Sequence, residues 1–389
     1  MPIINSIAAM QDELTEWRRD IHAHPELGFD EHRTAKFVAE RLEAFGCDEI
    51  ATGIGRTGVV AVIKGRTNTS NKVIGLRCDM DALPIMETTG LPYASTNDGV
   101  MHACGHDGHT TMLLGAAKYL AQTRNFDGTA VLIFQPAEEG RGGGREMVNE
   151  GMLDRFGVQQ VYGMHNKPGM APGTFAIRPG PLLAAADRIY ITVTGTGTHA
   201  AYPHLGRDPI VAASHIIVAL QSIAARNVDP LESAVITIGR IRGGDAGNVI
   251  PDSVKMVGTA RTFSPQIQDI VEARVVETVE ATARALGCDA EVTYKRDYPV
   301  TVNAAEETRI AADVARGVTG GDIDTNYTPS MGAEDFSFML NERPGAMIWI
   351  GNGDTANLHN PGYNFNDDIT PVGVSYWARL IETSMPAER

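Results

Sequence analysis

The sequence predicts an α/β protein of two domains, the second inserted into the first. Helix and strand patterns alternate through roughly the first 180 residues, as in a domain with a mixed α/β sheet. From 187 to 299 the order becomes βαββαβ, which is typical of ferredoxin-like α+β folds. At 389 residues the chain also exceeds the ~250–300 at which a single core usually stops growing. We expect domain limits at 1–186, 187–299 and 300–389.

Hydrophobic periodicity gives the elements in order. The N-terminal part predicts helices at 12–22 and 34–45, then strands near Val59 and Val73, and TAVLIFQ from Thr129 is a further strand-like run. In the insertion, DRIYITVTG, AVITIGRIRGG, SVKMVGTART and DAEVTYKRD are predicted strands. The two long apolar-periodic stretches between them, DPIVAASHIIVALQSIAA and IQDIVEARVVETVEATARAL, are predicted helices. The segment from about 302 returns to a mixed α/β pattern.

Charge and composition narrow the partners. A formal net charge of −15 disfavours nucleic acid and anionic membranes, which would both repel the chain. The N-terminal stretch lacks a basic region followed by an apolar core, and no uninterrupted apolar run approaches the ~18 residues of a membrane span. Four scattered cysteines are too few for a disulfide framework and favour a reducing compartment. We expect a cytoplasmic protein that acts on small molecules, with no nucleic-acid or membrane partner.

The densest chemical cluster is MHACGHDGHT, residues 101–110. Thiolate and imidazole are preferred ligands of zinc and neighbouring divalent ions, and Cys104 and His106 are one residue apart, so both can project from one side of a tight loop. The apolar stripe that follows from Thr111 predicts an amphipathic helix, which places the cluster on a loop entering that helix. The alternative is a buried structural cysteine with histidines that cap or solvate the helix start.

A second cluster, FQPAEEGRGGG, follows the strand-like run from Thr129. Of its two adjacent carboxylates, one can bind a metal while the other takes a proton from a water molecule that the metal activates. The glycines let the backbone approach a ligand closely. The alternative is that Glu138 and Glu139 form a solvated turn.

Two single histidines also sit at the ends of apolar runs. His165 follows a short strand in VYGMHNKPG, and His359 lies in a loop rich in glycine, asparagine and proline after AMIWIG. Each alone is weak evidence, because a lone histidine is more often structural. Together with Cys104, His106 and Glu139 they make five candidate ligands, enough for two metal ions with one shared bridge.

These clusters belong to an ordered set of motifs along nearly the whole chain. In this respect the sequence resembles the aminoacylase and carboxypeptidase-like dinuclear metallohydrolases, specifically the branch of hippurate hydrolase and the indoleacetyl-amino acid amidohydrolases. The motifs that carry the resemblance are HAHPELGF, RCDMDALP, MHACGHDGHT, QPAEEG, GMHN, GTGTHAAYPH, GNVIP, GAEDFS and LHNP. Agreement of so many motifs in one order is not expected by chance.

The resemblance implies a mixed-sheet catalytic domain carrying an inserted lid or dimerisation domain. It implies two divalent metal ions per subunit, with zinc, manganese, cobalt and nickel all open, and a homodimer or homotetramer formed through the insertion. It also implies residue roles: the metal ligands are Cys104, His106, Glu139, His165 and His359, and Glu138 is the general base.

In the inserted domain, the resemblance makes His199 a donor to the oxyanion of the tetrahedral intermediate, often in the site of the partner subunit. Asn248 and Arg261 are implied to hold the carbonyl or α-carboxylate of the substrate, a task suited to a guanidinium. The remaining histidines near these motifs are predicted to be structural: His22, His24, His109 and His204.

The sequence departs from the peptidase branches of the wider family at two points. Those branches use a carboxylate as the bridging ligand, where this chain has Cys104, and a His-x-Asp pair upstream, where it has Asp79 and Asp81. We expect these two aspartates to orient ligand histidines or to hold a strand-end turn. Glu334 and Asp335 of GAEDFS either border the substrate pocket or fix a loop.

The expected activity is metal-dependent hydrolysis of N-acyl amino acids, either hippurate-like N-benzoyl or N-acetyl compounds. A dipeptidase or carboxypeptidase-type enzyme of the same fold is the nearest alternative. A Cys104 nucleophile paired with His106 is a rival of another class, although it leaves the glutamate pair and the distant histidines unexplained. A non-catalytic metal-binding or ligand-binding protein is the third possibility.

Overall fold

The computed structural model describes residues 3–387 and contains two compact units. The first unit runs up to Leu182, continues from Val302 to Thr328 and resumes at Asp335. The second unit comprises Leu183–Thr301 together with Pro329–Glu334. The short second piece was not expected from the sequence, because six residues far from the insertion carry no pattern that would assign them to it.

The elements follow one another in a fixed order. Up to the start of the second unit they are α1 Asn5–Ala8, α2 Gln11–Ala23, α3 His32–Phe45, β1 Glu49–Ile54, β2 Gly58–Lys64, β3 Val73–Asp79, α4 His106–Thr123, β4 Thr129–Gln135, α5 Glu138–Arg141, α6 Gly143–Asn149, α7 Met152–Arg155, β5 Gln160–Pro168, β6 Phe175–Ala176 and β7 Gly180–Leu183. The second unit adds β8 Ala185–Thr194, β9 Thr198–His199, α8 Pro209–Arg226, β10 Ala234–Arg242, β11 Val249–Ile250, β12 Ser253–Thr262, α9 Pro265–Ala285 and β13 Asp289–Tyr298. The chain ends with β14 Thr301–Asn303, α10 Ala305–Thr319, α11 Ser337–Glu342, β15 Gly345–Gly353 and α12 Thr370–Ser384.

A seven-stranded mixed sheet forms the centre of the first unit, in the order β1-β2-β4-β3-β5-β15-β6. Its four central strands, β4, β3, β5 and β15, run parallel to their neighbours in this group, and β1, β2 and β6 are added antiparallel. The central strands are buried along nearly their whole length, as expected for strands covered on both faces. The predicted α/β class with a mixed sheet is confirmed. Parallel strands bring their carboxyl ends to one edge, and the candidate site lies at this edge.

Helix α4 corrects one prediction. The sequence pattern suggested an amphipathic helix from Thr111 preceded by a loop that carries the whole cluster. The helix instead begins at His106, and it is buried on all sides over most of its length because α2, α3 and α12 pack around it. An apolar stripe with small and hydroxyl residues beside it was therefore mistaken for one buried face. Cys104 lies in the preceding loop, and His106 is the first helical residue.

The second unit is an antiparallel sheet in the order β10-β12-β8-β13 with α8 and α9 packed on one face. Helix α8 has the length and mean hydropathy of a membrane span, 1.4, and 33% of that window is buried. One face of α8, including Ala212, Ile216 and Leu220, packs into the core that the sheet and α9 share. Asp208 caps its N-terminus by accepting from Ile210 N and Val211 N, as expected for an N-cap aspartate.

Candidate metal centre

The five candidate ligands and the candidate base meet at the carboxyl edge of the parallel strands. Three groups of side chains have ligand atoms within 4.8 Å of one another: Cys104 with His106 and His165, Cys104 with Glu139 and His359, and His106 with Glu138 and Glu139. Cys104 belongs to two of these groups, which gives it the bridging position that the sequence indicated. The arrangement provides donors for two neighbouring cations, in the mixture of thiolate, imidazole and carboxylate that borderline divalent metals accept.

Hydrogen bonds behind the two buried histidines fix which nitrogen faces the site. His106 Nδ1 donates to the Asp81 carbonyl oxygen at 2.8 Å and lies 3.2 Å from Asp81 Oδ1. His165 Nδ1 donates to the Asn166 carbonyl oxygen at 2.7 Å, and its Nε2 is 3.4 Å from Cys104 Sγ. Backing of this kind holds a ligand imidazole in one tautomer and orientation.

The polar atoms of the site fit a bound cation. His106 Nε2 is buried and has no hydrogen-bond partner, an expensive state for an imidazole nitrogen unless an ion completes it. Burial raises the pKa of the Cys104 thiol, so its thiolate needs a compensating positive charge nearby. Burial also lowers the pKa of His165 well below its usual range, which keeps this imidazole neutral and able to coordinate.

His359 approaches the same place from a loop after β15. Its Nε2 is 3.2 Å from Glu139 Oε1, and its side chain is 53% exposed, unlike the other candidate ligands. Cys104 and Glu139 raise the pKa of His359 to about 10, which shows that this side of the site favours positive charge. The backbone of His359 is left-handed, with φ 62°, and its N–H donates to the Ala103 carbonyl oxygen at 2.8 Å.

The glutamate pair enters the site from a strained turn. Ala137 adopts φ 52° and ψ 45°, a left-handed conformation that costs a non-glycine residue roughly 1–3 kcal/mol and persists only where its surroundings enforce it. The turn reverses the chain directly after β4, so Glu138 and Glu139 both point toward the ligand group of His106. Glu138 is buried, with Oε1 accepting from Asp335 N at 3.4 Å, and Glu139 N donates to Asp81 Oδ2 at 2.9 Å.

The two upstream aspartates have different partners. Asp81 backs His106 and the Glu139 amide, which agrees with the predicted orienting role. Asp79 accepts instead from His109 Nδ1 at 2.6 Å and from Arg77 at 2.8 Å. Burial alone would raise the pKa of Asp79, but His106 and Arg77 hold it well below its usual range. Asp79 is therefore a buried anion whose charge is balanced by an arginine and the neighbouring histidines.

Asp335 fixes a loop. It is fully buried and accepts from Arg77 at 3.1 Å, from Gln135 Nε2 at 2.7 Å and from Gly144 N at 2.8 Å. These bonds tie the segment before α11 to the end of β4 and the start of α6. Of the two functions considered for GAEDFS, Asp335 therefore has the loop-fixing one, and Glu334 belongs to the second unit.

The substrate-binding candidates lie in the second unit. His199 and Asn248 are neighbours, because β9 and β11 pair and Ala200 N donates to the Asn248 carbonyl oxygen at 3.0 Å. His199 Nδ1 accepts from Ala201 N at 3.0 Å, which leaves Nε2 as the protonated nitrogen and a donor. Arg261 lies on β12 in the four-stranded sheet, where its guanidinium bonds Thr259 and the Ala260 carbonyl oxygen. The structure thus brings His199 and Asn248 together and places Arg261 in a different sheet.

Asn166 is a site residue to which the sequence analysis gave no role. Its Nδ2 donates to the Cys104 carbonyl oxygen at 2.6 Å, and its Oδ1 accepts from Tyr363 OH at 2.7 Å. A Cβ on Gly105 would lie 2.3 Å from Asn166 Nδ2, so only glycine fits there, at φ 90°. The signal available in the sequence was an asparagine directly after a candidate ligand at a strand end.

Comparison with known proteins places this site in a family. The model of peptidase family M20/M25/M40 matches residues 75–383. Hippurate hydrolase from Campylobacter jejuni is 43% identical over 381 residues, or 98% of both chains. N-acetyl-L-cysteine deacetylase from Bacillus subtilis is 40% identical over 96% of this chain and 88% of its own length. A solved dinuclear metal-binding peptidase of family M20 from Bacillus subtilis has a TM-score of 0.85 and 36% identity over 97% of this chain and 99% of that chain. The resemblance carried by the motifs is confirmed, and the chain belongs to peptidase family M20/M25/M40.

Proposed function

We propose that this protein hydrolyses the amide bond of N-acyl amino acids, releasing a carboxylic acid and a free amino acid. The observation that carries the proposal is the convergence of five ligand side chains on Cys104 with one further carboxylate, Glu138, beside them. The relatives support the substrate class, because hippurate hydrolase and N-acetylcysteine deacetylase are named for amide hydrolysis of this kind.

The donor set fits two divalent ions, held by Cys104, His106, Glu139, His165 and His359. When bound, such ions polarise a carbonyl and can lower the pKa of water to about 7. Zinc, manganese, cobalt and nickel all accept the combination of thiolate, imidazole and carboxylate. The dinuclear neighbour of 36% identity supports the number of ions, and reconstitution with single metals would identify them.

In this reaction Glu138 acts on protons. Its carboxylate is buried beside the ligand group and has an oxygen within 4.8 Å of the nearest atoms of His106 and Glu139. We infer that Glu138 takes the proton from the attacking water and delivers it to the leaving amine, since one residue can act as base and then as acid. Glu139, its neighbour, is committed to the ligand group.

The substrate is held by residues of the second unit. We infer that His199 Nε2–H donates to the oxyanion that develops on the carbonyl oxygen, because its Nδ1 is already an acceptor. Asn248 lies beside His199 and suits the carbonyl or the carboxylate end of the substrate. Arg261 is half-buried, and a guanidinium in that state favours a carboxylate partner.

The second unit also provides a surface for self-association. We infer a homodimer or homotetramer formed through it, with the second unit acting as the lid or dimerisation domain. β10 is an edge strand with exposed Val235 and Ile241, and Ile210, Val211 and Val218 are exposed on α8. An apolar edge strand is prone to pair with another chain unless it is covered, so a second copy of this chain is the proposed cover.

We place the protein in a reducing compartment, the cytoplasm. All four cysteines are free thiols: Cys47, Cys78, Cys104 and Cys288. A thiolate that bridges metal ions is lost on oxidation, so the proposed chemistry requires such a compartment.

The test is amine release from benzoyl-, acetyl- and indoleacetyl-amino acids and from dipeptides, using apoprotein reconstituted separately with zinc, manganese, cobalt and nickel. We expect metal-dependent turnover of N-acyl amino acids above that of dipeptides. Turnover that resists chelators but is lost on thiol alkylation would indicate a Cys104 nucleophile, since His165 Nε2 lies 3.4 Å from Sγ. Two bound ions without turnover of any amide would indicate a binding protein.

A further inference from the structure

A buried glutamate outside the ligand set contacts the turn that carries the glutamate pair. Glu31 is fully buried just before α3. Its Oε1 accepts from Ala137 N at 2.7 Å, and its Oε2 accepts from Thr57 Oγ1 at 2.6 Å. Both carboxylate oxygens are therefore engaged, one of them by the left-handed residue that directly precedes Glu138.

The same N-terminal segment contacts the turn at two further points. Gly28 packs against Ala137 so closely that a Cβ at Gly28 would lie 2.9 Å from both Cα and Cβ of Ala137. Arg141, at the far end of the turn, donates from Nη1 to the Gly28 carbonyl oxygen at 2.6 Å. Residues 26–31, which we call the brace, thus contact the turn at both of its ends.

The brace also contacts the loop that carries Asp81. Ala82 N donates to the Glu26 carbonyl oxygen at 2.8 Å, and Leu27 forms a parallel bridge with Ala82. Asp81, the preceding residue, is the one that orients His106. One segment therefore connects the two loops between which the candidate base and a ligand histidine are held.

We propose that Glu31 is a positioning residue that sets the place of Glu138 and Glu139 by holding the Ala137 N–H. The inference rests on the proposed function, because it assigns Glu31 to the reaction only through Glu138. The Ala137 conformation is intrinsically unfavourable, so contacts from outside the turn must maintain it, and the bond from Glu31 is the polar one. A displacement of about 1 Å at a reacting group can reduce turnover by roughly 10²-fold.

The test compares Glu31→Met with Glu31→Gln. Methionine fills a similar volume but accepts no hydrogen bond from Ala137, whereas the glutamine Oε1 can accept it and its Nε2 can donate to Thr57. We expect Glu31→Met to lose about 10–100-fold in kcat with KM little changed and two ions still bound, and Glu31→Gln to recover most of kcat. Glu307→Ala removes a comparably buried carboxylate, bonded to Gln160, and serves as the control for lost stability alone.

Three results would overturn the proposal. Glu31→Met with wild-type kcat shows that Glu31 contributes only to stability, and Glu31→Gln as slow as Glu31→Met shows that the bond is not the cause. If Glu31→Met does not fold, Gly28→Ala decides, because its added methyl displaces the turn: we expect lower kcat with both ions bound, and wild-type kcat overturns the proposal. Glu138→Gln, assayed in parallel, separates the two levels. Wild-type kcat in that variant overturns the proposed function as well, whereas an inactive Glu138→Gln beside a fully active Glu31→Met overturns only this inference.

Discussion

The two units hold their candidate functional residues in opposite ways. In the first unit Cys104, His106 and Glu138 are buried, and hydrogen bonds behind the histidines fix their orientation. In the second unit His199 and Asn248 are exposed on two-residue strands and short loops. The metal half of the site is therefore preorganised, whereas the substrate half gains its final order from the groups it binds. Preorganised groups contribute most to the chemical step, so the largest effects of mutation are expected in the first unit.

Removing the base tests the preorganised half most directly. Glu138→Gln keeps the shape of the side chain but cannot take a proton, and kcat should fall by roughly 10²–10⁴-fold with metal content unchanged. Glu146→Gln is the matched control, since Glu146 pairs with Arg56 on the surface at 2.7 Å. Steady-state kinetics with metal analysis measures both. Near-normal turnover in Glu138→Gln would remove Glu138 from the mechanism.

Removing the oxyanion donor tests the exposed half. His199→Ala should lower kcat by about 10²-fold, whereas His204→Ala, an exposed histidine of the same loop, should have little effect. Equal activity of the two variants would contradict the assignment. Mixed dimers of His199→Ala and Glu138→Gln subunits then ask whether sites are shared: recovered activity means that His199 acts across subunits, and no recovery means that it acts within its own.

Removing the support behind His106 tests how much the preorganisation itself contributes. Asp81→Ala deletes the carboxylate near His106 Nδ1 and the acceptor for Glu139 N, while the Asp81 backbone carbonyl remains. Metal affinity should weaken by about 10–100-fold, as measured by competition with a chelator. Asp98→Ala, on an exposed loop, is the control. An unchanged affinity would mean that the backbone bond alone orients His106.

The smallest effect concerns stability. Burial lowers the pKa of His22, but its bonds to Asp107 and Glu87 outweigh this and raise the pKa to about 9. Because the folded-state pKa lies above the unfolded value of about 6.5, the contribution is fully present below pH 6.5 and is lost as the pH rises through 9. We expect the free energy of unfolding of the holoenzyme to fall by on the order of 3 kcal/mol across this window relative to His22→Gln. Denaturant titrations at pH 6 and about 9.5 measure it, with His24→Gln as control; parallel pH profiles in wild type and His22→Gln would contradict it.

Much of the metal half could be predicted from residue types at strand ends. Cys104, His106, Glu139, His165 and His359 each follow an apolar run or lie beside one, and parallel strands bring such positions to a common edge. Side-chain type alone could not distinguish Asp79 from Asp81. The former pairs with Arg77 and His109 and the latter with His106, a difference set by the twist of β3 and by residues distant in sequence.

Other features were out of reach because they depend on neighbours that no local pattern contains. Helix α4 is buried on all sides since three other helices cover it, which a periodicity of apolar residues does not indicate. The left-handed Ala137 was equally hidden, because alanine gives no signal of positive φ and the contacts that hold it come from Gly28 and Glu31. The second piece of the second unit, Pro329–Glu334, had no sequence signal at all.

The parallel pairing of β5 with β15 has a consequence for biosynthesis. Val161 pairs with Gly345, and the chain builds the whole second unit between these two strands. Closing so long a loop is entropically unfavourable and slow, and it must precede the delivery of His359 to Cys104. A nascent chain therefore carries an incomplete set of ligands until most of its length has been synthesised. Ion loading is a late event in folding, and over that interval the thiol of Cys104 depends on its surroundings for protection from oxidants.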